Sequence, residues 1–452
     1  MQRCTLFVAV ILAFALPAGA QRYTSTTIPN VISATAMNRS GQVVGVLQNS
    51  NGFIHAFLWS KSTGVQDLGT LGGKHSTGDA VNDSGQVAGV STVYPQGYVS
   101  AFLWSAATGM QDLGFVTWAN GGGVKGLNAQ GDVIGSYVPQ VLAQAFIWTA
   151  ANGFQDLGFG ANSFALATND NGWVVGDENY LGCHAYLWKP SSHAMSLDYP
   201  GSTCSNLVAL NNLNEAAGYY TTSNESFGYT WSNGKFATLP SLSVPNQTEV
   251  DFLNSYGQVA GVSRAAGDAN PHPFFYSAKS GIVDLSLPPN QYRSRAVALN
   301  NRGEMLAYSQ KTSSSNYQFF DWTLRGGLHR IPASAVALND AGQILGGNNS
   351  GWVLLSPAMQ VKLKSSLNPS KSGQSVTFTA TVTSIVGAPP DGENVTFQDG
   401  GTTLATVSLT KGVAKFTISS LSVGTHPIKA AYAGDVNYDP SVSKTVSQVV
   451  NP

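Results

Sequence analysis

Apolar residues in this chain come in short groups separated by polar or glycine-rich stretches, and they do not recur at helical spacing beyond the first twenty positions. The groups follow a fixed order. A segment leading into an Asn is followed by Asn-x-x-Gly-x-apolar-x-Gly, then by an aromatic segment such as AFLW, then by an Asp-Leu segment such as VQDLG. Each unit therefore predicts four short β-strands. The Asn element reads NRSGQVVG from Asn38, NDSGQVAG from Asn82, NAQGDVIG from Asn128 and NDNGWVVG from Asn169. Looser copies begin at Asn211, Asn254, Asn300 and Asn339, and successive anchors lie 39 to 46 residues apart. Four strands in that length is one blade of a β-propeller.

Two details support this architecture. The residue two before each anchor is Ala36, Ala80, Gly126, Ala167, Ala209, Phe252, Ala298 or Ala337, small in seven units of eight, as the crowded innermost strand requires. The eighth unit has no clear fourth segment, whereas RYTSTTIPN at 22–30 precedes the first anchor where such a segment would sit. Pairing the two would close the ring and remove both edges. The expectation is an all-β chain with eight blades closed in a 3+1 manner; seven blades with a degenerate flanking unit is the alternative.

The anchor itself looks at first like a metal loop, with oxygen-bearing side chains before a glycine. A calcium loop of EF-hand type needs that glycine at its sixth position, however, and here it is the fourth. The pairs are Asn38 and Gly41, Asn82 and Gly85, Asn128 and Gly131, Asn169 and Gly172, Asn211 and Asn214, Asn254 and Gly257, Asn300 and Gly303, and Asn339 and Gly342. Gly and Asn tolerate positive φ best, so this is a hairpin turn whose Asn side chain bonds the loop backbone.

The AFLW, QDLGTLGG and NDSGQVAG segments resemble the HAF family of extracellular repeats, named for its His-Ala-Phe tripeptide, of which His55-Ala56-Phe57 is the intact copy here. The resemblance spans roughly 22–355 and implies an exported repeat protein, with no catalytic residues to carry over. After Ser356-Pro357 the texture changes to alternating Ser, Thr and Val, as in SVTFTATVT at 375–383, which predicts a sandwich of about seven strands. The run LNPSKSGQSVTFTATVTS through GTHPIKAAYAGDVNY resembles a bacterial Ig-like domain, a module that implies a spacer or adhesive role on exported proteins. At the other end Arg3, the apolar stretch Leu6–Leu16 and Ala18-Gly19-Ala20 have the pattern of a secretory signal. The expected organisation is a signal at 1–20, a propeller at 21–357 and an Ig-like domain at 358–452.

Composition narrows the function further. Charged residues make up 10 % of the chain, 23 basic against 24 acidic, with no basic stripe to engage nucleic acid or anionic lipid. No segment outside the signal approaches a membrane span. Cys183 and Cys204 can pair in an oxidising compartment or stand as two buried thiols; the sequence leaves both open. His55, His184 and His272 share one repeat position on separate units, so a common metal site is not expected, and a bond to a neighbouring turn is. Asp177, Glu178 and His184 lie in a polar stretch that a solvated loop explains as well as catalysis does. Asp435 and Asp439 are too few for calcium and read as a turn. No cofactor is expected, and no catalytic motif occurs.

The residues three before the anchors carry the candidate chemistry. Among otherwise apolar positions they include Thr35, Asp79, Lys125 and Asp251, and Asp79, Lys125 and Asp251 are the ligand-binding candidates near the central channel. The reading is a non-enzymatic, exported binding or adhesion scaffold, secreted or held at the cell surface or in the periplasm, whose partner is a glycan or a surface protein. The alternative is a polysaccharide-active glycosidase or lyase using Asp79 and Asp251, whose carboxyls would then have to converge.

Overall fold

The computed structural model describes residues 22–117, 122–179, 182–267, 270–285, 287 and 292–452. The expected signal at 1–20 lies outside them. Contacts divide the chain into two units, one holding Ser25–Ser356 with Asp435–Tyr438 and the other Pro357–Gly434 with Asp439–Pro452. No helix occurs among the described residues.

Each repeat of the first unit folds as one four-stranded sheet, and there are eight. Blade one runs Val31–Met37, Val43–Gln48, Ile54–Ser60 and Gly64–Asp67 in order across the sheet. The first strands of blades two to eight are Gly72–Val81, Gly123–Leu127, Ser163–Thr168, Cys204–Leu210, Thr248–Leu253, Arg293–Leu299 and Ser334–Leu338. These eight strands contact one another in succession, the last returning to the first, so they form the inner ring. The propeller closes as the segment order predicts: the N-terminal strand Tyr23–Ile28 lies beside Gly351–Pro357 and supplies the outermost strand of blade eight. The weak seventh and eighth repeats are complete blades.

Alternation along the aromatic strand builds the core between blades. In blade one Phe57 and Trp59 pack against Leu345 and Leu354 of blade eight, while Ala56 and Leu58 turn to Val87, Phe102 and Trp104 of blade two. Successive side chains on a strand face opposite ways, so a run of four apolar residues is what a sheet buried on both faces needs. Phe57, Phe102, Phe146 and Phe274 are fully buried, each contributing about 2–3 kcal/mol of transfer free energy.

Every first strand carries a register shift at the residue three before the anchor, as between Ala34 and Ala36 or Val250 and Phe252. This bulge explains the second glycine of the repeat. A Cβ on Gly89 would lie 1.9 Å from the carbonyl oxygen of Thr77, and one on Gly218 would lie 1.8 Å from that of Asn206. Blade seven is the exception, with Ala307 at that position.

The second unit is a β-sandwich. Gln360–Ser365, Val376–Thr383 and Val413–Ile418 form one sheet; Val446–Asn451, Gly424–Tyr432, Asn394–Asp399 and Thr402–Ser408 form the other, with two short added pieces. Val376, Phe378, Ala380 and Val382 alternate into its core opposite Val395 and Phe397. In the loop after Gly424–Tyr432, which the contacts group with the first unit, Asp435 closes a turn, accepting from the N–H groups of Asn437 and Tyr438 at 2.8 Å.

Candidate functional site

Antiparallel connection puts the two ends of the channel in different hands. The hairpins after the first strands lie on one face, called here the turn face. The loops joining second to third strands, and one blade to the next, lie on the opposite loop face.

On the turn face the anchors form a closed ring. The Nδ2 of each anchor Asn donates to the main-chain oxygen of the next, Asn38 to Asn82 and so on to Asn339, which returns to Asn38, at 2.9–3.3 Å. The Oδ1 accepts from the N–H groups two and four residues on, as Asn300 does from Arg302 and Glu304 at 3.0 Å. The same Nδ2 donates to a side chain four residues on: Gln42, Gln86, Asp132, Glu215, Gln258, Glu304 or Gln343. Blade four has Trp173 there, and Asn169 bonds Asn214 of blade five instead. All eight anchors are buried and their bonding capacity is met. The turn glycines take φ of 68–90° and Asn214 takes 61°. Above the ring opens a cavity of about 390 Å³, rimmed by the residues after the anchors, including Arg39, Asp83, Asp170 and Asp340. Arg39 lies 3.3 Å from Asp340 and 3.5 Å from Asp83, and Asp170 accepts from the N–H of Ala129 and the Nδ2 of Asn212, so these carboxylates bridge neighbouring blades.

The loop face breaks the symmetry. Five residues before the anchors, blades eight, one, two and three carry Ser334, Ser33, Thr77 and Gly123, facing Gly347, Val46, Val90 and Ser136 on their second strands. Blades four to seven carry Phe164, Asn206, Glu249 and Arg295, facing Asp177, Tyr219, Val262 and Tyr308. One half of the ring is small and the other is a wall of larger side chains, mostly aromatic or charged, with Asn206 and Val262 among them.

Within that wall Arg295 donates to Glu249 at 2.9 Å and lies 3.9 Å from Asp251. Burial pushes the Asp251 carboxyl up to about 6, Arg295 opposing and Glu249 assisting. Burial also raises Asp177, Asn179 opposing and Glu178 adding a smaller push. The Tyr219 hydroxyl is raised by burial and then by Glu249, Asp177 and Asp251, with Arg295 opposing. One oxygen of Asp251 and one of Asp177 are buried with no hydrogen-bond partner, a costly arrangement unless something else supplies a donor.

The three candidates from the sequence do not meet. Asp79 stands on blade two, Lys125 on blade three and Asp251 on blade six, so the two acids face each other from opposite sides of the ring. Asp79 accepts from Thr77 at 3.3 Å, and burial holds its carboxyl up at about 7. Lys125 is exposed and forms no ion pair with Asp79. The partners of Asp251 come instead from the row two residues earlier, which reasoning from the sequence passed over; comparing all eight copies at that position would have found it.

The histidines are tied within their own blades. His55, His184 and His272 bond through Nδ1 to Asp67, Asp198 and Asp284, at or just beyond the ends of their fourth strands, at 2.8–3.1 Å. Cys183 and Cys204 form a disulfide that joins blade four to the first strand of blade five on the loop face.

Residues 363–451 match the model of the bacterial Ig-like domain (group 3). No curated protein matches the chain. Among solved structures, Porphyromonas gingivalis dipeptidyl peptidase 4 is similar at 9 % identity over 91 % of this chain and 65 % of its own, with a TM-score of 0.46. Puromycin hydrolase is similar at 10 % identity over 77 % and 58 %, with a TM-score of 0.38. TolB from Acinetobacter baumannii is similar at 11 % identity over 54 % and 63 %, with a TM-score of 0.33. The chain spans 58–65 % of the length of these three structures.

Proposed function

We propose that the protein is an exported, non-enzymatic binding scaffold that takes a glycan or surface-protein ligand at the loop face of the propeller, the Ig-like domain serving as spacer. The observation that carries this reading is the division of labour between the faces. The residues that define the repeat serve the fold: the anchor Asn ring and the turn glycines. Where the repeats depart from one another, they depart together, across blades four to seven at one end of the channel. The HAF-like repeats and the Ig-like module are the support for export.

A glycan array and a panel of cell-surface proteins presented to the full chain test this. Retention of a ligand without change to it is the expected result, and Glu249→Gln should weaken it. A second reading, a polysaccharide-active enzyme, draws on one observation: an acid raised to about 6, Asp251, beside a second acid, Glu249. Chromatography of any bound glycan after prolonged incubation separates the two, because shortened products would overturn the scaffold reading.

A further inference from the structure

We infer that the outer face of the three-stranded sheet in the Ig-like domain docks an acidic polysaccharide, an extended sugar chain bearing carboxylates. The inference is independent of the loop face and gives the spacer a contact of its own. The strands Gln360–Ser365, Val376–Thr383 and Val413–Ile418 contain three lysines and no acidic residue. Alternation sends Val361, Phe378, Ala380 and Ala414 into the core, so Lys362, Lys364 and Lys415 stand exposed on the opposite face. The whole chain sets 23 basic residues against 24 acidic ones, so this excess is local. It emerges only when the sheet pairs segments distant in sequence.

Register fixes the pattern of charge. Thr379 stands opposite Lys364 on one side and Lys415 on the other, and Lys362 stands opposite Thr381. Strand geometry then puts the Cα atoms of Lys364 and Lys415 about 10 Å apart, and those of Lys362 and Lys364 about 7 Å apart. The screening length at physiological salt is about 8 Å, so the three charges act together. None of the three has an ion-pair partner among the described residues. A bound anion would relieve their repulsion.

The rest of the face selects a sugar chain among polyanions. The central strand presents a column of threonines whose hydroxyls both donate and accept. Thr377 bonds Thr417 at 2.8 Å. Thr379 and Thr381, the two that face lysines, have no side-chain partner among the described residues and are left for a ligand. Val413 is the one apolar side chain on the face, which holds no aromatic ring. Neither stacking of a neutral sugar nor insertion into a membrane has a basis there.

The test is calorimetric titration of the full chain with polygalacturonate. Dextran is the neutral counterpart, and duplex DNA and phosphatidylserine vesicles are the competing polyanions. Polygalacturonate should bind and dextran should not. Its affinity should fall at least about tenfold between about 50 mM and about 200 mM salt, as contact by three cations requires. The triple variant Lys362→Gln, Lys364→Gln, Lys415→Gln should weaken binding at least about tenfold with its thermal midpoint retained. Lys429→Gln, exposed on the other sheet, should bind as the parent does. Should the triple variant not fold, Lys364→Gln alone should still weaken binding more than Lys429→Gln. No binding at low salt overturns the inference, and so does binding that survives the lysine changes. Equal binding of dextran overturns the charge assignment, and tighter binding of DNA or vesicles overturns the sugar assignment. The scaffold reading is judged separately, because a loop-face ligand answers to Glu249→Gln and not to the lysine variants.

Discussion

The two faces of the propeller come from the same eight repeats and treat equivalence in opposite ways. On the turn face, equivalent residues do equivalent jobs: eight Asn side chains pass one hydrogen bond each to the next blade until the circle closes. On the loop face, equivalent positions hold Ser33, Thr77, Gly123, Phe164, Asn206, Glu249, Arg295 and Ser334, a row with no common job. A position that must satisfy its neighbour in every blade cannot also be shaped to a ligand in one of them. Regularity marks where the fold consumes the side chain, and departure marks where the side chain is left over for something else.

The largest effect should come from the backbone crossing that both faces share. Gly218→Ala places a methyl group 1.8 Å from the carbonyl of Asn206. The expected loss exceeds about 3 kcal/mol, seen as loss of soluble protein or a sharply lowered denaturation midpoint. Blade seven supplies an internal control, because Ala307 already stands at this position; Ala307→Gly should cost less than about 1 kcal/mol. A mild Gly218→Ala variant would mean that any bulge can yield as blade seven does.

Next comes the ring. Asn300→Ala removes donors to Asn339 and Glu304 and an acceptor for two N–H groups, all in buried surroundings. Urea denaturation should report a loss of about 2–4 kcal/mol, while loop-face binding stays unchanged. If binding fell and stability did not, the assignment of one face to folding and the other to function would be wrong.

Much of this is legible in the amino-acid sequence. The spacing of Asn38, Asn82 and Asn128 gave the blade length, the alanines before them located the inner strand, and RYTSTTIPN foretold the closure. The hydrogen bond from one anchor to the next was not readable, because it joins residues about 43 positions apart whose contact exists only once the ring is shut. Its companion, the Gln, Asp or Glu four residues on, was printed in seven repeats, but a polar residue after a turn glycine has many ordinary explanations. The candidate site was legible only in part. Asp251 stood out because its row is otherwise mostly apolar, whereas Glu249 and Arg295 sit in a row of mixed polarity where no single residue looks foreign. What singles them out is that their blades are consecutive.

A smaller effect depends on pH. Asp79 holds its proton up to about 7 and Asp251 to about 6, against an ordinary 3.8 in the unfolded chain. Between those values the folded protein binds protons that the unfolded chain has released, so stability is greatest below about pH 4 for these groups and falls as pH rises through 6 and 7. With the solvated channel taken into account the change is about 1 kcal/mol per group. Thermal midpoints of Asp79→Asn should vary less between pH 5 and pH 8 than those of the parent. A parent whose midpoint rises over that interval, with the slope unaltered in the variant, would contradict the burial of these carboxyls.

The smallest effect belongs to His55. His55 bonds Asp67 through Nδ1 at 2.8 Å and Asn49 through Nε2 at 3.1 Å, and the Asp67 side chain is 40 % exposed. Blades two and three make the same strand with Ser100 and Gln144 in its place, so the histidine cannot be what forms it. Asp67 also accepts from the N–H of Gly69 at 2.8 Å, and Asp112 and Asp156 do the same for Gly114 and Gly158 without a histidine. The aspartate shapes the turn, and the histidine adds a solvent-screened partner. A double-mutant cycle of His55→Ala and Asp67→Ala should therefore give a coupling of about 0.5 kcal/mol that shrinks with added salt, with Asp67→Ala the more damaging single change. A coupling above about 2 kcal/mol, or one indifferent to salt, would place the histidine among the residues the fold depends on.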